Sequence, residues 1–259
     1  MEYEGITLEK KAGVATIKLN RPEKLNAISA PMMQSIKTVL DEIHNDESVR
    51  VFILTGEGRA FCAGGDLTAS HQVRGQSRRE FAERTGSLAA RFFNLPKPII
   101  GAINGLAFGG GLSLAMLCDI RIASEKATFS SAYARIGMMP DLCGTYTMPR
   151  LVGLTKAMEL VLTADVIDAA EALRIGLVNK VVPEAELAKS AGEMAKLIAS
   201  GSPVAAEHIK LVLRRSLLHS FEEQMEFESF GCDICKQSED HAEGVKAFLE
   251  KRKPVFKGK

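Results

Sequence analysis

The chain has 259 residues, 46% of them hydrophobic and 25% charged, with a formal net charge of +1. That length is enough for one large domain, or a core with a helical appendage, and for an ample hydrophobic core. The near-even charge balance excludes an electrostatic fit to nucleic acid or to an anionic membrane surface. The five cysteines (62, 118, 143, 232, 235) form no even framework. The acidic start Met1-Glu2-Tyr3-Glu4 is unlike a signal peptide, and no stretch is long and apolar enough to span a bilayer. A reduced, cytoplasmic setting with no membrane partner is expected. Cys232-x-x-Cys235 lacks a second ligand pair, so both are read as packing residues on a helix and no metal site is expected.

Residues 5–19 read as a hairpin turned at Lys11-Ala12-Gly13, with Ala15, Ile17 and Leu19 alternating with polar neighbours. A helix capped near Ser29 follows, with Met33, Ile36, Leu40 and Ile43 on one face. Val51-Phe52-Ile53-Leu54 suits a strand buried on both sides. Residues 70–93 read as an arginine-rich helix, expected to be a mobile cover that could bring His71 to a pocket. Ile99–Ile103 is a second buried strand, and a third is expected at Ile120–Ala123. Strand and helix in alternation argue for an α/β fold with right-handed crossovers. From about Thr155 the pattern turns helical, with Asp168 and Glu171 as a capping pair, Gly176 as a stop and a short strand within Leu177–Val182. Ser202-Pro203 opens another helix, and Asp240-x-x-Glu243 opens a last one running to about Lys251. The apolar faces of these last helices (Ile209, Leu213, Phe230, Phe248) exceed what a small core needs, which suggests subunit contacts.

Two glycine-rich turns carry the chemistry. Phe61-Cys62-Ala63-Gly64-Gly65-Asp66-Leu67 and Asn104-Gly105 through Gly109-Gly110-Gly111 each follow a buried strand and lead toward a helix. Close helix–strand packing explains such glycines as well as close approach by a ligand does. Together the two turns can aim two backbone N–H groups at one oxygen, which is the geometry of an oxyanion hole for acyl or enolate chemistry.

With Leu19-Asn20-Arg21-Pro22-Glu23-Lys24-Leu25-Asn26-Ala27, the Cys118-Asp119 end of the second turn and the tail Ala247–Pro254, these segments resemble the crotonase superfamily over nearly the whole chain. The resemblance implies a spiral of repeated β–β–α turns, with a core over residues 1–200 holding the CoA and acyl site. It also implies a C-terminal helical region, 201–259, that builds a homotrimer or a dimer of trimers. It places the oxyanion donors on Gly65 and Gly110, and the CoA contacts on Lys24, Ala27, Ala63, Asp66 and Leu67. A neighbouring subunit would offer Phe248 and Lys251 to the CoA. The substrate class it implies is an acyl-CoA thioester, with no cofactor beyond the CoA that the substrate carries.

In hydratases of that family two glutamates hold and deprotonate the water; their positions here are Ser113 and Tyr133. Neither is a base at neutral pH. Asp141 stands where some family isomerases carry a catalytic aspartate, and as a loop Pro-Asp it could equally cap the next helix. The sequence expectation is an enoyl-CoA isomerase working through an enolate, with Asp141 as proton shuttle and Met138 lining an apolar acyl pocket. The alternatives are an enoyl-CoA hydratase with Asp141 alone activating water, and a CoA-thioester hydrolase.

Overall fold

A computed structural model describes residues 3–68 and 78–259. The hairpin β1 (Ile6–Lys11) and β2 (Val14–Leu19) forms as expected, and pairs antiparallel. Its turn needs positive φ at both central residues, and Ala12 (51°) and Gly13 (79°) adopt it. Helix α1 (Ala30–Asn45) starts where the Ser29 hydroxyl accepts the Met32 N–H. Its buried face carries Met32 with Ile36, Val39, Leu40 and Ile43, and the expected Met33 packs against the same core while partly buried.

Three β–β–α units follow. The first is β3 (Val51–Gly56), β4 (Ala60–Cys62) and α2 (Arg78–Asn94). The second is β5 (Ile99–Ile103), β6 (Leu106–Phe108) and α3 (Gly110–Met116). The third is β7 (Ile120–Ser124), β8 (Thr128–Ser130) and α4 (Gly144–Val152). Beyond them come α5 (Leu154–Thr163), β9 (Ile167–Asp168), α6 (Ala169–Arg174), β10 (Lys180–Val182) and α7 (Leu187–Ala199). The chain closes with α8 (Pro203–Arg215), α9 (Phe221–Gln237) and α10 (Glu239–Leu249).

Within each unit the first strand joins one sheet and the second strand another. The larger sheet runs β1-β2-β3-β5-β7-β10, parallel except at the hairpin, and the smaller runs β4-β6-β8-β9. This is the expected spiral. Alternate residues of β3 face opposite layers. Phe52 and Leu54 join the core made with α1 and α2, whereas Val51 and Ile53 pack with Leu187, Ala191 and Ala195 of α7. Burial on both faces is why these strands read as continuous apolar runs.

Two expectations need correction. Helix α2 is not a cover: Leu88, Ala89 and Phe92 are buried, and the Phe92 ring lies 6.2 Å from Phe52. The part of the expected cover that holds His71 lies outside the described residues. Cys232 and Cys235 do lie on a helix, α9, but Cys232 is exposed and so does not pack. Helix α10 begins one residue early, at Glu239, capped by Ser238, and ends at Leu249 short of Lys251. This leaves Asp240 buried in its first turn, where it accepts the Lys257 and Gly258 N–H groups and fastens the C-terminal segment. Among the described residues no helix is long and apolar enough to cross a membrane.

Helix α8 is tied to the spiral by charge. Asp119, at the end of the second glycine unit, meets Lys210 at 2.9 Å and Arg214 at 2.6 Å, and also accepts the Ile99 N–H at 2.7 Å. Burial pushes the Lys210 ammonium down to about 8, with Asp119 pulling the other way. Removing the one anion from such a cluster leaves buried cations uncompensated, which costs about 3–5 kcal/mol. Asp119→Asn is therefore expected to lower the free energy of unfolding in urea by about that amount. A loss below about 1 kcal/mol would mean that the cluster is solvated and does not hold α8.

Candidate active site

The loop at 24–28 runs alongside the first glycine turn and pairs with it as a short parallel ladder. Ala63 N–H donates to Leu25 O (2.9 Å), Ile28 N–H to Gly64 O (2.7 Å) and Asp66 N–H to Ile28 O (3.0 Å). In a parallel bridge the residue opposite Ile28 directs its own N–H to the other side. Gly65 N–H therefore points away from Ile28, and among the described residues it meets no acceptor.

Two side chains hold this ladder, and sequence reasoning assigned neither a role. Asn26 is fully buried with φ 56°; its amide accepts the Arg21 N–H and donates to Glu57 O and Ala60 O. Arg21 donates to Ala27 O (2.6 Å) and to the Asp66 carboxylate (2.9 Å). The Thr68 hydroxyl and then Arg21 hold the Asp66 carboxyl below the usual carboxylate range. Asp66 thus fixes the loop with its side chain. The hint in the sequence was their place in the Leu19–Ala27 segment that carries the family resemblance.

The second glycine run divides its labour. Gly109 has φ 50° and caps α3. A Cβ on Gly111 would stand 2.0 Å from Cys62 O, so Gly111 is there for close packing. Gly110 is different: its Cβ would meet only ordinary contacts, 3.6 Å from Gly65 N and 3.7 Å from Asp141 Oδ1. Gly110 N–H is the first of its helix and precedes any intrahelical acceptor. The packing reading of the run holds at Gly111, whereas Gly110 leaves room for something to approach its backbone. The Gly65 amide nitrogen and the Asp141 carboxylate thus both lie within 3.7 Å of the Cβ position of Gly110.

Asp141 reaches that spot from a turn in which Leu142 (φ 48°) and Cys143 (φ 60°) are both left-handed. The cap position of α4 is occupied by Cys143, so Asp141 does not sit where the helix-capping reading put it. Its carboxylate accepts the Tyr133 hydroxyl at 2.5 Å, and Tyr133 lies 3.0 Å from the Ser113 hydroxyl. Tyr133 and Ser113 are both buried. Burial first, then the charge of Asp141, pushes the Tyr133 phenol far up, so it stays protonated. Cys62, beside the first turn, is pushed up to about 12 by burial and is no thiolate.

The remaining expected residues are placed less closely. Ala63 lies in the ladder and Ala27 accepts from Arg21, while Lys24 and Leu67 have exposed side chains at its ends. Met138 is 45% exposed and donates its N–H to Tyr133 O, so it stands near the rim. Phe248 is 82% exposed on α10, and Lys251 follows it; among the described residues neither meets the glycine turns. An apolar cavity of about 610 Å³ beside α4 and α8 contains none of these groups. Among the described residues no three His, Cys, Asp or Glu side chains cluster as metal ligands would.

Residues 9–259 match the family model described as enoyl-CoA hydratase/isomerase. The chain is 41% identical to a short-chain-enoyl-CoA hydratase of Clostridium acetobutylicum, over 98% of this chain and 97% of that one. It is 39% identical to a crotonyl-CoA hydratase of Syntrophomonas wolfei, over 99% of each. Among solved structures it superposes on an enoyl-CoA hydratase from Bacillus anthracis with TM-score 0.93 at 34% identity, covering 99% of this chain and 100% of that one. These names favour hydration over the isomerisation expected from the sequence.

Gly110→Ala separates site from scaffold. Its methyl meets nothing closer than 3.6 Å, so folding should be unchanged, yet it occupies the spot between Gly65 N and Asp141 Oδ1. Loss of turnover by about 100-fold or more is expected with an unaltered melting temperature. Near-normal turnover would place the reacting atoms elsewhere.

Proposed function

The chain belongs to the enoyl-CoA hydratase/isomerase family, and on that premise we propose that it converts an enoyl-CoA thioester through an enolate, with Asp141 as its acid–base group. The thioester oxygen sits between Gly65 N–H and Gly110 N–H, whose hydrogen bonds strengthen as that oxygen gains negative charge. Loss of one such donor typically costs about 3 kcal/mol of barrier lowering. The observation that carries the reading is the 3.7 Å between Asp141 Oδ1 and the Cβ direction of Gly110. That distance supports a carboxylate within reach of the carbon next to the oxyanion.

Isomerisation is the net reaction this geometry suits best. Asp141 takes a proton from the α-carbon of a β,γ-unsaturated thioester, the electron pair moves toward oxygen, and the same proton returns at the γ-carbon. The double bond moves into conjugation and the mass is unchanged. One carboxylate suffices, and each proton is moved by a side chain, so no added cofactor is needed. Tyr133 and Ser113, at the positions of the hydratase glutamates, stay protonated and cannot activate water.

Hydration is the second reading, favoured by the names of the relatives. It requires Asp141 alone to position water at the β-carbon and deliver its proton. Assembly into trimers, with Phe248 and Lys251 reaching a neighbour's CoA, fits the exposed apolar side chains along α8–α10 (Ile209, Leu213, Phe230, Leu249).

Products are expected to separate the two readings. Mass spectrometry on a β,γ-enoyl-CoA should show a conjugated product of unchanged mass, reduced at least about 100-fold in Asp141→Asn. A gain of one water on the α,β-isomer, also lost in that variant, would make the enzyme a hydratase with the same base. Turnover that survives the substitution would remove Asp141 from the mechanism.

A further inference from the structure

Three polar groups are threaded through the site on separate elements: Ser113 on α3, Tyr133 in the short helical turn after β8, and Asp141 in the turn before α4. Their hydrogen bonds have a definite direction. A phenol has one proton, and a carboxylate cannot donate. The Tyr133 proton therefore points to Asp141 Oδ1, 2.5 Å away, and the Ser113 proton points to the phenol oxygen, 3.0 Å away. The order is Ser113 to Tyr133 to Asp141.

The chain is also gripped from both sides. The position of a Cβ on Gly144 is 2.6 Å from Ser113 Oγ, so the start of α4 has no room for a side chain and Ser113 has none for a longer one. The Tyr133 ring lies against Gly109, with its Cζ 4.0 Å from that residue's Cβ position. Burial keeps the phenol protonated, so the donor to Asp141 persists across the neutral range.

We infer that Ser113 and Tyr133 are positioning residues, a directed hydrogen-bond chain that holds the Asp141 carboxylate in register with the two backbone donors. The inference rests on the assignment of Asp141 as the acid–base group. An aspartate on a surface turn rotates about two torsions, and proton transfer demands one orientation within a fraction of an ångström. Tyr133 removes that freedom by occupying Oδ1, and Ser113 removes the same freedom from Tyr133. The residues at the hydratase glutamate positions thus keep a task in the reaction, although they carry no base.

The test is the kinetics of Tyr133→Phe, Ser113→Ala, Asp141→Asn and the Tyr133→Phe/Asp141→Asn pair on a β,γ-enoyl-CoA. Phenylalanine keeps the packing and loses only the hydroxyl. The expected result for Tyr133→Phe is a 10- to 100-fold fall in kcat with KM within about threefold of the wild type. Ser113→Ala should fall in the same direction by a smaller factor. In the Asp141→Asn background the loss of the Tyr133 hydroxyl should have no further effect, because it acts only through the carboxylate. Equal losses in both backgrounds, or a wild-type kcat for Tyr133→Phe, would overturn the positioning role. If residual turnover of Asp141→Asn is too slow to measure, the kcat-against-KM split decides. If Tyr133→Phe fails to fold, Ser113→Ala carries the test, and a wild-type kcat there overturns the chain. Asp141→Asn at the wild-type rate would defeat the underlying assignment and the inference together. An inactive Asp141→Asn beside a fully active Tyr133→Phe would defeat the inference alone.

Discussion

The site depends on two backbone amides, at Gly65 and Gly110, that the fold brings close together. An N–H group away from water and without an acceptor is unfavourable, and folded chains rarely tolerate one. Here Gly110 is buried at the first position of its helix, while Gly65 is exposed with its N–H turned out of the ladder. The parallel bridge between Ile28 and Gly65 turns one outward, and the first position of α3 leaves the other unpaired. Each would relax by a small backbone rotation if the loops were free to move. They are not: Asn26, with φ 56°, is locked by its side chain to Arg21, Glu57 and Ala60, and Gly111 is pressed against Cys62 O. In the proposed reaction, a thioester oxygen that accumulates charge would meet donors that need no reorganisation.

The spiral explains how such distant stretches meet. Each β–β–α unit crosses from the large sheet to the small one, and the turn that leaves each small-sheet strand brings its residues to the site. The turn after β4 brings Gly65, the turn after β6 brings Gly110, and the loop after β8 brings Tyr133 and Asp141. The second unit also supplies Ser113 on α3, whose hydroxyl reaches Tyr133 of the third. The left-handed pair Leu142 and Cys143 stores backbone strain in the turn that carries Asp141.

Much of this was legible from residues alone. The hairpin, α1, β3, β5 and β7 announce themselves by period and punctuation, and the two glycine turns mark where the chain brings two backbone amides close together. The small sheet was not legible: β4, β6 and β8 have three residues each, too few to show alternation. Helix α2 was misread because its arginines dominate the composition while Leu88, Ala89 and Phe92 recur at helical spacing and enter the core. Ser113 and Tyr133 could be read only as carboxylates that are missing. Their link to Asp141 joins residues 20 and 8 positions apart and exists only once α3 and the 132–136 turn are packed together.

The central claim is that this site forms an enolate and that Asp141 moves the proton. The most direct measurement is hydrogen exchange at the α-carbon of a saturated acyl-CoA in D2O, followed by mass spectrometry, because it reports enolate formation without regard to net reaction. The account predicts deuterium entering the α-position with the wild type and none above the uncatalysed rate with Asp141→Asn. Equal exchange in both, or no exchange from an enzyme that turns over its enoyl substrate, would contradict it.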